Sequence, residues 1–336
     1  MTALAMVDGR IVPIAAAAVP VEDRGLQFGD SIYEVVAVFN ACAFDWDKHL
    51  WRFRRGAAAI GLEPLPAPAV IEARAARLLR AARVGEGLLY LQATRGAARR
   101  DHGFPAGVRP RLLMTARAFD FRLRLRQQAE GVALLSLPDQ RWKRCDIKST
   151  NLLPAVLAKE EARRAGAFEA LFATAEGTVT EGASTTLWLV EPGGRIRTHP
   201  LSAAILPGVV RETLLALARR EGLAVEERAF TLEEARQAPE LFLTATSGPL
   251  LPVTVLDGRP VGSGRPGPVA TRLAGLLWAE VRRQTGWTGY AAPEDASGRA
   301  GPGEAPRPAR TPRGDAAPRR SAAGDAAPAP RAAARA

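Results

Sequence analysis

The chain reads as an α+β protein of two domains. Three observations point there. Strand-like and helix-like runs alternate from about residue 6 to 285, and the turn signals between strands are of the hairpin kind: Asp8-Gly9, AEGT at 175–178, EPGG at 191–194 and LDGR at 256–259. The third is the length of 336 residues, which suits about two domains. Hairpins dominate the second half, so its sheet is expected to be mixed or antiparallel rather than doubly wound and parallel.

The first domain is assigned to residues 1–121. It opens with the Asp8-Gly9 hairpin and the strand SIYEVVAVF, Ser31 to Phe39. Asp47 is read as the cap of a helix whose Leu50, Phe53, Ala57 and Ile60 recur at the spacing of a buried stripe. A second helix covers about Val70 to Arg83. Strands follow at Leu88 to Thr94 and Leu112 to Ala116, around a polar loop at 95–110. Two helices on a mostly antiparallel sheet make an α/β sandwich.

Residues 122–130 are charged and weakly patterned, and read as a linker. The second and larger domain, 131–290, starts with the strand GVALLSL. A helix over Leu153 to Arg164 comes next, then strands FEALFAT at 168–174 and STTLWLV at 184–190. A helix opens near Gly208, strands lie at 223–229 and 240–245, and a final helix covers about Pro268 to Arg283. Residues 291–336 are mostly Ala, Pro, Arg and Gly without apolar periodicity, and read as a disordered tail.

Composition excludes several function classes. Apolar residues make up 47% and charged residues 24%, as in globular proteins. Cys42 and Cys145 form no C-x-x-C pair and His49, His102 and His199 no ligand spacing, so neither disulfides nor a metal site is expected. The charge-free stretch Leu241 to Leu256 is too short and too rich in Pro and Gly to span a bilayer, so no membrane association is expected. No signal peptide is read either, and the expected location is the cytoplasm. Net charge is +11, but it is spread along the chain as Arg without an interleaved aromatic stripe. That is solvated surface, and no nucleic-acid partner is expected.

The lysines narrow the chemistry. Arg cannot lose its proton, so amine chemistry falls on one of Lys48, Lys143, Lys148 and Lys159. Lys148 ends the strand-like RCDIK and opens onto STNLL, a place suited to a Schiff base in a cleft. Two features favour an anion nearby: the helix start at Gly208-Val209-Val210 and the hydroxyl-rich turn Thr244-Ala245-Thr246-Ser247-Gly248. Glu181 sits between two β segments at a strand corner. The string Gly262-Ser-Gly264-Arg-Pro-Gly267 matches a dinucleotide fingerprint but follows a hairpin arm, and is read as a turn.

Over about residues 6–285 the chain resembles the fold-type IV pyridoxal-phosphate aminotransferases, and within them the D-amino-acid branch. The strings carrying the resemblance are DRGLQFGDSIYEVV, TRGAARRDHGFP, QRWKRCDIKSTNLLPAVLAKEEA, TVTEGAST and ELFLTATS. It implies pyridoxal 5'-phosphate held by Lys148, which also moves the substrate proton, with Glu181 pairing to the pyridine nitrogen. Arg52, the backbone at Val209 and Val210, and Thr246 would bind the phosphate, with Leu206 on the ring face. Tyr33 would line the substrate pocket, and Arg100 with His102 would trap the substrate carboxylate from the other subunit of a homodimer. D-alanine and 2-oxoglutarate are the implied substrates. The alternatives on the same fold are branched-chain L-aminotransferase and aminodeoxychorismate lyase, against which the R-x-H pair argues. Departures from the family pattern are Val210 for a Thr, Thr186 for an Asn, Arg99 for a Pro and Ala245 for a Ser.

Overall fold

Two curled sheets, each dressed with helices, meet along one strand. A computed structural model describes residues 3–290, and the expected tail at 291–336 lies outside the described residues. Strands β1 (Leu4–Val7) and β2 (Arg10–Pro13) form the foreseen hairpin. Asp8 and Gly9 both take positive φ, 48° and 88°, the twist that a two-residue hairpin requires. After the short helix α1 (Arg24–Phe28) come β3 (Ser31–Phe39), β4 (Cys42–Ala43), α2 (Trp46–Ala59), α3 (Pro68–Ala82), β5 (Gly87–Thr94) and β6 (Arg111–Ala118). These strands make one antiparallel sheet ordered β2-β1-β6-β5-β3-β4.

The segment expected to be a linker is helical, α4 (Arg122–Glu130). Its Leu125 packs against a core built from distant segments, and Arg124 lies over the rings of Phe119 and Phe168. The helix is fixed by these long-range contacts rather than by an apolar stripe of its own.

The remaining elements are β7 (Val132–Pro138), α5 (Leu153–Arg164), β8 (Glu169–Ala173), β9 (Val179–Gly182), β10 (Thr186–Val190), β11 (Ile196–Thr198), α6 (Val209–Arg220), β12 (Val225–Glu227), α7 (Leu232–Gln237), β13 (Glu240–Ala245), β14 (Gly248–Leu256), β15 (Arg259–Pro260) and α8 (Pro268–Thr285). Nine of these strands form a mixed sheet ordered β12-β11-β10-β13-β14-β7-β8-β9, with β15 on β14. Only β11–β12, β14–β7 and β7–β8 run parallel.

Strand β3 binds the halves together through its two faces. Ile32, Val36 and Val38 point into the core under α2 and α3, whereas Ala37 and Phe39 belong to the core beneath α6 and α8. The cap of α2 also differs from expectation. Asp45, not Asp47, is the N-cap, and its carboxylate is engaged by Thr213 Oγ1 at 2.5 Å and Gln284 Nε2 at 3.0 Å. Asp47 lies in the first turn. Among the described residues, no helix is long and apolar enough to cross a membrane.

Candidate active site

The seam between the sheets opens into a cleft whose wall includes Tyr33, Arg52, Arg141, Lys148, Glu181 and Leu206, with the first turn of α6 and the β13–β14 turn at one end. Of the expected site residues, Lys148, Glu181, Arg52, Leu206, Val209, Val210, Thr246 and Tyr33 all line it.

Lys148 reaches the cleft from an irregular segment rather than from a strand end. Arg144 and Asp146 pair locally at 2.9 Å, and Ile147 N–H donates to the Arg144 carbonyl at 3.1 Å, which folds RCDIK into a turn. The chain then extends for one bridge, Ile32 to Ser149, and Tyr33 N–H donates to the Lys148 carbonyl at 2.9 Å. The result holds the half-buried Lys148 Nζ 4.3 Å from the Tyr33 ring centroid. Gly29, next to this segment, has φ of 64°, and a Cβ there would stand 2.3 Å from Asn151 Oδ1. Only glycine fits.

Glu181 lies within β9, a buried strand, rather than at a corner. Its carboxylate accepts from Arg141 Nη1 and from Leu206 N–H at 3.1 Å. Burial pushes its pKa up to about 7, against the pull of Arg141 and a smaller pull from Lys148. Arg141 is itself shared. Its Nε and Nη2 donate to Asp139 at 2.9 and 2.7 Å, and Thr180 Oγ1 donates to the same carboxylate at 2.7 Å.

Arg52 rises from α2 with its fork closed on Glu34 of β3, at 2.9 Å from Nε and 2.6 Å from Nη2. Its Nη1 donates to the Pro207 carbonyl at 2.8 Å, which ties α2 to the chain entering α6. Gly208, the N-cap of α6, offers no side-chain acceptor, so the first-turn N–H groups of Val209 and Val210 are available to an anion. A Cβ on Gly208 would lie 2.9 Å from Thr186 Oγ1. Beside this cradle, Thr185 Oγ1 is buried in the cleft wall without a hydrogen-bond partner.

Arg100 and His102 are not brought into this cleft. Both are exposed on the 95–110 loop, where the Arg100 guanidinium lies 4.8 Å from the Phe28 centroid and the His102 ring 5.5 Å from it.

With this geometry in hand, the likeness to known proteins is informative. Residues 31–256 match the Amino-transferase class IV family. The chain belongs to the class IV aminotransferases. It is 38% identical over 281 residues to the D-alanine aminotransferase of Bacillus licheniformis, covering 84% of this chain and 98% of that one. The D-alanine aminotransferase of Listeria innocua is 35% identical, covering 85% and 99%. Among solved structures, a T.th. branched-chain amino acid aminotransferase complexed with N-(5'-phosphopyridoxyl)-L-glutamate superposes with a TM-score of 0.75. It is 26% identical and covers 85% of this chain and 95% of that one. The Escherichia coli branched-chain enzyme reaches a TM-score of 0.78 at 24% identity, covering 89% and 98%. The fold is therefore fold-type IV.

In this class IV aminotransferase, sequence reasoning missed Arg141, Asp139 and Thr185. Arg141 lies inside one of the resembling strings, yet nothing there gives it a role. The signal that could have found it is Glu181 itself, because an acid in the buried run TVTEG needs a counter-charge. The donors present fit a phosphorylated pyridine aldehyde: an anion cradle at α6, a buried carboxylate at Glu181 and a single amine at Lys148.

Proposed function

We propose that the chain is a D-amino-acid aminotransferase that holds pyridoxal 5'-phosphate in the Lys148 cleft and works as a homodimer. Its substrates are D-alanine and 2-oxoglutarate, converted to pyruvate and D-glutamate in two half-reactions. The observation that carries the reading is the convergence of Lys148, Glu181, Arg52 and the α6 N-terminus on one cleft. The likeness to D-alanine aminotransferases along most of the chain supports the D-configuration over the branched-chain alternative.

When bound, the cofactor supplies an electron sink that weakens the substrate Cα–H bond. The chain's own groups do the rest. Arg52, the Val209 and Val210 N–H groups and Thr246 would bind and orient the phosphate, and Leu206 would pack on the ring. Glu181 would supply the carboxylate that pairs with the ring nitrogen, with Arg141 and the Leu206 N–H holding it in place. Lys148 Nζ would take the proton from the substrate Cα and deliver it to the cofactor carbon C4′, which leaves the amino group on the cofactor and frees the 2-oxo acid. An arginine in that position could not, because a guanidinium does not release its proton. Tyr33, packed against Lys148, limits where the amine can reach.

Arg100 and His102 are read as the trap for the α-carboxylate of a substrate bound in the partner copy's cleft. Two observations support this: both side chains stand outside their own cleft, and Leu26, Leu153, Val156 and Leu157 are 56–69% exposed.

The test is an amino-donor comparison with 2-oxoglutarate as acceptor. D-alanine should be consumed and L-alanine should not, and equal use of both would overturn the stereochemical reading. Lys148→Ala should bind cofactor without its lysine-dependent visible absorbance and lose nearly all turnover, and near-normal turnover would overturn the mechanism. Mixing Lys148→Ala with Arg100→Ala subunits should restore activity if the trap serves the partner, since one site of the hybrid then has both groups. Demonstrated subunit exchange without recovery would place the trap in its own subunit.

A further inference from the structure

We infer that Phe28 and Arg24 are positioning residues that set Arg100 and His102 for a carboxylate, an inference that rests on reading this pair as the trap. The pair sits on an exposed polar loop, where two side chains would otherwise sample many rotamers. The structure shows what restrains them. Phe28, the last residue of α1, is half-buried and presents its ring to three neighbours. The Arg24 and Arg100 guanidinium carbons lie 4.7 and 4.8 Å from its centroid, and the His102 ring is 5.5 Å away at 52°. A guanidinium over an aromatic face is held by the ring quadrupole while its N–H fork stays free for a planar anion.

The backbone is fixed by the other member. Arg24 is buried, and its Nη1 donates to the Asp101 carbonyl at 2.5 Å while Nη2 reaches the His102 carbonyl at 3.4 Å. Its Nε is taken by Asp30 at 2.8 Å. Burial works to raise the Asp30 pKa, but its bonds to Arg95 and Arg24 outweigh that and leave it lowered, so the carboxylate is a firm anchor. Arg95 binds the same carboxylate at 2.7 and 2.9 Å, and its guanidinium lies 3.7 Å from the centroid of Phe104 further along the loop. Gly103 N–H donates to Asp101 Oδ1 at 2.9 Å, closing a local turn between the two mounts. The trap is thus bolted to α1 through its carbonyls and floored by Phe28.

The test is a mutant cycle on the full-length, cofactor-loaded protein. Phe28→Leu keeps apolar bulk but removes the π face. It should raise KM for D-alanine about two- to five-fold, the worth of one exposed cation–π contact, with kcat, cofactor affinity and melting temperature about unchanged. Phe28→Tyr, which restores the face, should restore KM. Arg100→Ala alone should raise KM by about tenfold or more, and adding Phe28→Leu to it should raise KM by clearly less than it does in the wild type, because the platform's Arg100 share is already gone and only its His102 share remains. Arg24→Lys, which keeps the charge beside Asp30 but cannot fork onto two carbonyls, is a second entry into the same cycle. If Phe28→Leu leaves KM unchanged, or its effect persists undiminished in the Arg100→Ala background, the platform is wrong and the trap stands. If Arg100→Ala leaves KM unchanged, the trap reading falls and the platform with it.

Discussion

Each sheet buries one glutamate against one arginine beside the cleft, and the two pairs are tuned in opposite directions. Glu34 takes the fork of Arg52 with both oxygens, and its buried carboxyl is held well below the usual range because Arg52 and the nearby His49 outweigh the cost of burial. His49 Nδ1 stands 3.1 Å from Glu34, and burial depresses its own pKa. Besides the Leu206 N–H, Glu181 receives only Nη1 of the Arg141 guanidinium, because Asp139 occupies its Nε edge and Nη2. Its burial is therefore under-compensated, and its pKa rises to about 7. The pairing of residue types does not decide protonation; the way one guanidinium is divided among its acceptors does. One pair anchors a permanent cation on the cleft wall. The other keeps a carboxylate that readily responds to a cation placed against it.

The largest effect should come from unbalancing the first pair. Arg52→Met leaves Glu34 buried with its main counter-charge gone, which costs about 3–5 kcal/mol in comparable sites. The folded-state pKa of Glu34 is normally lowered, so its contribution is present above the ordinary 4.5 and is lost as pH falls below it. In Arg52→Met that dependence should invert, with stability falling as pH rises past 4.5. Glu34→Gln in the same background should recover much of the loss. Thermal unfolding against pH reads all three, and an unperturbed Arg52→Met melting temperature would break the contrast.

The second effect lies in a different pH window. Glu181 has a folded pKa of about 7 against an ordinary 4.5, so the folded protein binds the extra proton between these values. The stability that this proton provides is complete below pH 4.5 and is lost as pH rises to about 7. Across that window the cofactor-free wild type should lose at most on the order of 3 kcal/mol relative to Glu181→Gln. Parallel pH profiles for the two proteins would show that Glu181 is ionised like a surface acid.

Much of this was legible in sequence. β3 announced itself by β-branched residues in strand period, α5 by its Ala/Leu pattern, and Lys148 by being one of four amines in a chain otherwise armed with Arg. What failed was non-local. Residues 122–130 carry no helical apolar stripe, and contacts with Phe119, Phe168 and the core around Leu125 fix them as a helix. The RCDIK turn follows from an Arg144–Asp146 pair that strand propensity ignores. Arg141 meets Glu181 across 40 positions of chain and Arg24 meets His102 across 78, and no periodicity records such separations.

The smallest predicted effect is the most direct test of how Arg141 is divided. Asp139 is held below the usual carboxylate range: burial raises its pKa, and the bonds to Arg141 and Thr180 more than reverse that. It is therefore a charged competitor for the guanidinium that Glu181 depends on. Asp139→Asn keeps the shape and a carbonyl acceptor for Arg141 and Thr180, but removes the charge. Arg141 then has one carboxylate instead of two. Its attraction falls undivided on Glu181, whose pKa should move down from about 7 toward the ordinary range, by about one unit. The pH-dependent stability gap between this variant and its Glu181→Gln derivative should close at a correspondingly lower pH and shrink by about 1 kcal/mol. If the gap closes where it does in the wild type, burial alone sets the Glu181 pKa, and Asp139 serves only to hold Arg141 in place.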